Sequence, residues 1–115
     1  MIDWSAAQVV TTSEFEVCWE MLRLGETPWQ LDPPRSGLTT ADRDAVVSSA
    51  LQGLAARGLA FGQRLGPALE EHLQRLAWPR WSADVRYVAG SAVSAVAAVR
   101  GSQATVAVRH DDEIA

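Results

Sequence analysis

Apolar residues recur at helical spacing through the first two-thirds of the chain, and from residue 82 the spacing changes to two. Phe15, Cys18, Trp19 and Leu22 fall on one side of a first helix. Val17, Met21 and Leu24 lie nearly opposite, which leaves Glu16, Glu20 and Arg23 as a narrow strip for water. A helix apolar on two sides is either sandwiched between layers or meets another chain. Thr11, with Glu14 three residues on, supplies a capping box at its start, and Gly25 a stop at its end. A second helix opens at Thr39 with Asp42 in its first turn, carries Val47, Leu51 and Leu54 flanked by Val46 and Ala50, and ends at Gly58. Between the two, Pro28, Pro33 and Pro34 stiffen a connector that Trp29 and Leu31 pin to the core. A looser stretch, residues 59–66, leads to Pro67 in the first turn of a third helix striped by Leu69, Leu73 and Leu76 and stopped by Pro79.

Strands occupy the rest. Residues 4–10 are a short apolar run fit for one strand, and SADVRYVAG, VSAVAAVR and QATVAVRH read as three more. Gly101–Ser102 forms a two-residue hairpin turn that sets Val99 against Ala104, Ala97 against Val106 and Ala95 against Val108. For the preceding hairpin, a three-residue loop at Gly90, Ser91 and Ala92 places Val85 opposite Ala97 and Tyr87 opposite Ala95, keeping one face apolar. The middle strand is apolar on both faces and predicts cover on each side. The order β-α-α-α-β-β-β defines an α+β domain with an antiparallel sheet packed against helices. It spans residues 1–115 as a single unit, with 111–115 as a loose acidic tail.

Composition narrows the function more than it defines it. All ten basic residues are Arg, scattered singly, and nineteen alanines accompany them, the imprint of a GC-rich genome. A net charge of −4 and a pI near 5.0 speak against a phosphate-binding surface and so against nucleic acid. No leader-like or membrane-spanning run is visible, so the expectation is a cytoplasmic protein without membrane insertion. Cys18 alone excludes an internal disulfide and any multi-cysteine zinc site, and its place on an apolar stripe predicts a small buried thiol. His72 borders the leucine stripe of the third helix without a usable acidic partner at helical spacing, and His110 precedes Asp111, Asp112 and Glu113. A structural histidine and a solvated terminus account for them better than a metal or acid–base site. No strained serine elbow or phosphate-cradling glycine loop occurs. No enzyme, cofactor or metal is therefore expected. Among the five tryptophans, Trp78 and Trp81 flank Arg80 in AWPRW. A helix-to-strand corner packing both rings is favoured there, with an exposed interaction edge or a cation–π stack as alternatives.

The stretch SEFEVCWEMLRLGETPWQLDPPRSGLTTADR resembles the N-terminal half of the EspG family, proteins associated with ESX (type VII) secretion in actinobacteria. The matching positions are Glu14, Phe15 and Trp19, then Leu24, Gly25 and Pro28, the pair Pro33–Pro34, and the helix start Gly37, Thr39, Ala41, Asp42 and Arg43. LAARGLA (54–60), DVRYVAG (84–90) and VRGSQATVAVRHDDEI (99–114) continue the likeness in order along nearly the whole chain.

The resemblance implies one half of a fold with pseudo-two-fold symmetry, and a cytosolic chaperone or adaptor that binds PE–PPE-like pairs and keeps them soluble for export. It further implies partner binding at the loop between the second and third strands, which maps to Gly90, Ser91 and Ala92. A half of such a fold could restore the symmetry as a homodimer, through its sheet or its first helix. The alternative is a homodimeric interaction module, antitoxin-like or regulatory, with no export role.

Overall fold

A computed structural model describes residues 8–35, 37, 39–89 and 91–115, with the backbone alone described for 84–89, 91 and 92. Helix α1 (Thr12–Met21) follows the short strand β1 (Val10–Thr11), and α2 (Thr40–Ala56) follows the proline-rich connector. A small hairpin of β2 (Ala60–Phe61) and β3 (Arg64–Leu65) leads into α3 (Pro67–Ala77). Strands β4 (Trp81–Ala89), β5 (Ser91–Arg100) and β6 (Gln103–His110) then form a meander, closed by β7 (Glu113–Ile114). The five-stranded antiparallel sheet has the order β1-β7-β6-β5-β4. This is the α+β architecture predicted by the change of hydrophobic period.

The helix starts follow from their caps. The Thr11 hydroxyl accepts from the Glu14 amide while the Glu14 carboxylate accepts from the Thr11 amide, and Thr39 accepts from the Asp42 amide. Gly58 closes α2 in the left-handed region, with its own amide and that of Leu59 donating back to Ala55 and Leu54. Helix α1 ends differently from expectation. Arg23 (φ 54°) takes the left-handed position that ends the helix, ahead of Gly25 (φ 87°), and the Arg23 and Leu24 amides donate to the carbonyls of Glu20 and Trp19. The turn that stops the helix fits Leu24 into the core, and core burial fixes the register of the stop against the local preference for glycine. Arg23→Gly is therefore expected to stabilise the protein by about 0.5–1 kcal/mol. A rise in the urea midpoint at unchanged m value would show it, whereas no rise would mean that the Arg23 side chain offsets its backbone strain.

One hydrophobic core joins the three helices, the connector and the inner face of the sheet: Phe15, Trp19, Leu31, Leu54, Leu73, Val96 and Ala107 are all buried in it. Phe15 and Trp19 stack with ring centroids 5.4 Å apart. Helix α1 is sandwiched, as its two apolar sides predict, but its polar strip is not left to water. Glu14 and Glu16 are buried. Glu16 receives both terminal nitrogens of Arg43 from α2, at 2.6 and 3.0 Å, and Arg43 also reaches Glu20 at 2.8 Å. Arg35 of the connector adds to both carboxylates, and its hydrogen bond holds the Glu20 carboxyl below its ordinary range. Glu14 pairs with Arg57 and crosses α2 at Gly53, where a Cβ would stand 2.6 Å from the carboxylate.

The connector is a brace. Leu31 is fully buried and Pro33 is buried, whereas Trp29 is 58% exposed, so Leu31 alone of the two expected anchors sits in the core. Arg109 of β6 donates to the carbonyls of Leu31 and Asp32, and the Trp19 indole donates to the Gly25 carbonyl at 3.0 Å. At its far end Gly37 (φ 93°) lies so close to α2 that a Cβ would meet the Arg43 backbone at 2.7 Å.

Four expectations are corrected. The loose stretch before α3 is the β2–β3 hairpin. Of the run 4–10, residues 4–7 lie outside the described residues and only Val10 enters a strand. Residues 111–115 are not a loose tail: Ile114 is buried and pairs with both Val10 and Arg109, and Ala115 exchanges two backbone hydrogen bonds with Val108. Finally, the β4–β5 register places Val85 opposite Ala95 and Tyr87 opposite Val93. The expected register would have set Trp81 against the Gly101 turn; the observed one pairs Trp81 with Val99 and keeps β4 laddered along its full length. Both registers keep the same residues on the same face, so the alternation could not separate them.

Candidate interaction surface

Side chains in register across β4, β5 and β6 define the two faces of the meander. Val96, Ala98, Thr105 and Ala107 are buried, and α3 packs on them. The opposite face carries Trp81, Val99 and Ala104 in one row, Ala83, Ala97 and Val106 in the next, then Ala95 with Val108. None of these side chains is charged. Trp81 and Val106 are 58% and 56% exposed, and no residue of this face belongs to the buried core. Among the described residues, all three helices therefore lie on the other side. The doubly apolar middle strand predicts two covers, and the described residues supply one.

Large apolar residues rarely stand together on a surface unless something binds there. Trp78, at the end of α3, is 52% exposed, so the AWPRW corner leaves both rings open instead of packing them. The backbone ladder explains this. The Arg80 amide donates to the Val99 carbonyl and β4 begins at once, which turns Trp81 onto the open face. Tryptophan pairs a large apolar ring with one donor and is favoured at interfaces for that reason. A groove of about 640 Å³ with a mixed lining lies against α2 and the small hairpin, where Met21, Val47, Leu51 and Ala55 alternate with Asp44, Ser48, Gln52 and Gln63.

Of the three residues assigned to partner binding, the backbone of two is described. Gly90 lies outside the described residues. Ser91 and Ala92 are not loop residues but the first two of β5, paired with Ala89 and Val88. The sequence reading offered Trp81 only as part of an alternative exposed edge, and it did not single out Val106 or the face that joins the two. The signal was present as large residues opposite small ones, but alternation does not say which face a helix will cover.

The reactive side chains are engaged in structure. His72 Nδ1 lies 2.8 Å from the buried Thr105 hydroxyl, which also receives Arg75, and Arg75 continues to Gln103. Burial and then the nearby Arg75 charge push the His72 pKa down, favouring the neutral ring. This cluster ties α3 to β6. Burial and then Glu14 raise the Cys18 thiol to about 12, far from a reactive thiolate. His110 lies 3.8 Å from Asp111 with both side chains exposed, and no group of potential metal ligands occurs among the described residues.

Among the described residues, a helical layer is locked to one face of the sheet and the other face is open. The family model described as the EspG family matches residues 11–115, and the chain belongs to that family. Membership implies a secretion-chaperone role associated with ESX systems. No curated protein matches the chain. No helix among the described residues is long and apolar enough to cross a membrane.

Proposed function

We propose that this protein acts in the cytosol of an actinobacterium as an ESX chaperone that holds a PE–PPE-like pair soluble before export. The observation that carries this reading is the open, uncharged apolar face of β4–β6. An aggregation-prone apolar tip needs a complementary apolar surface, and burial of such area is the main favourable term in association. The tip would meet the face at its Gly90, Ser91 and Ala92 end, the positions that the family resemblance assigns to partner binding. The role requires no acid–base pair, metal or cofactor.

The test is co-expression of the tagged chain with PE–PPE pairs from an actinobacterial genome. Co-purification of a pair with the tag, and its loss to aggregation when the chaperone is omitted, is the expected result. Failure to retain any pair, under conditions where a longer family member captures its own, would remove the reading.

A further inference from the structure

We propose that, in the protein without a client, the open face of β4–β6 is covered by the same face of a second copy, the two related by a two-fold axis running along β5. The inference goes beyond the client reading and does not depend on it. Three features carry it. The first is charge. The chain as a whole is at −4, and like-charged copies repel, but the rows from Trp81 to Val108 hold none of that charge. Two such faces meet without desolvating a carboxylate or a guanidinium.

The second feature is self-complementary relief. A two-fold axis along β5 lays β4 of one copy over β6 of the other, row for row. Trp81, paired with Val99 and through it with Ala104, then comes over the partner's Ala104. Val106, in the row of Ala97 and Ala83, comes over the partner's Ala83. Both large exposed residues of the face meet alanines, and the small Ala97 lies on the axis. The third is area. Three strands at about 4.8 Å and three rows at about 6.8 Å give roughly 300 Å² of flat face per copy. Side-chain relief adds to this, and the two copies together approach the ~1,000 Å² that marks the lower bound for a specific interface. Helix α1, the other surface that could have joined two copies, is excluded because Phe15, Val17, Cys18 and Trp19 are buried within their own chain.

Sedimentation of the purified full chain at tens of micromolar, without client, tests the proposal, and a two-copy mass is expected. Val106→Glu places a carboxylate over the partner's Ala83 and is expected to weaken association at least ~100-fold. The circular dichroism spectrum should remain that of the parent, since Val106 is more than half exposed. Mixing Val106→Glu chains with Ala83→Arg chains is expected to restore the two-copy mass that neither variant shows alone. A monomer at tens of micromolar, the result if residues 1–7 or nothing at all covers the face, overturns the proposal. So does a dimer indifferent to Val106→Glu, or a mixture that stays monomeric. A dimer that forms while no PE–PPE pair is captured leaves this inference standing and removes the client reading; a monomer that captures a pair does the reverse.

Discussion

Arg43→Ala is expected to destabilise the protein by roughly 3–5 kcal/mol, the range for removing one partner of a buried ion pair. Arg43 joins α2 to α1 through both oxygens of Glu16, at 2.6 and 3.0 Å, with both side chains about nine-tenths buried. Without it Glu16 keeps only Arg35, whose side chain is more than half exposed. The lower half of the range is therefore expected, because Arg35 supplies partial compensation from a hydrated position. The double variant Glu16→Met/Arg43→Met removes the charge together with its partner and should lose less than Arg43→Ala alone, since an apolar replacement of a buried pair is often near neutral. Urea midpoints of the three proteins decide the matter. A loss under ~1 kcal/mol for Arg43→Ala would mean that water already solvates Glu16.

Leu31→Ala is expected to cost about 3 kcal/mol, within the range for truncating a fully buried leucine. Leu31 is the point at which the connector enters the core, and its carbonyl is held by Arg109 at 2.5 Å. Trp29→Ala, two residues earlier, should change stability by less than ~1 kcal/mol despite the larger side chain, because that ring is mostly exposed. Equal losses at the two positions would contradict the connector's placement. Thermal unfolding of both variants reads the difference directly.

The residues that carry the family likeness are explained by this architecture. Thr39 caps α2, Arg43 locks it to α1, Gly37 allows the backbone to pass within reach of Arg43, and Trp19 holds the Gly25 carbonyl. They specify how helices and connector assemble. The open sheet face, where partners are proposed to bind, has no comparable signature.

What could be read from the sequence was what local physics controls. The capping box at Thr11, the cap at Thr39, Pro67 in the first turn of α3 and the Gly101–Ser102 turn each depend on a few neighbouring residues, and each is found as predicted. The misses share another cause. The early stop of α1 at Arg23 follows from the burial of Leu24, the burial of Glu16 from an arginine 27 residues away, and the ordering of Ile114 from Val10 at the other side of the chain. These depend on tertiary contacts that no window of neighbouring residues contains. The register at Gly90 failed differently, since both candidates satisfied the alternation and only the position of the next turn separated them.

The pairing of β1 with β7 governs the order in which the molecule can be assembled. The α1–α2 pair and the β4–β5–β6 meander draw on contacts between elements adjacent in sequence, which cost little loop closure. The strap between Val10 and Ile114 must instead close a loop that runs from residue 10 to residue 114. It also supplies the acceptor for the Thr12 amide, the Asp112 carbonyl at 2.7 Å. During synthesis, then, α1 emerges well before residues 112–114 and waits with its first turn incomplete until they arrive. An early-made helix is secured by a strand made some hundred residues later.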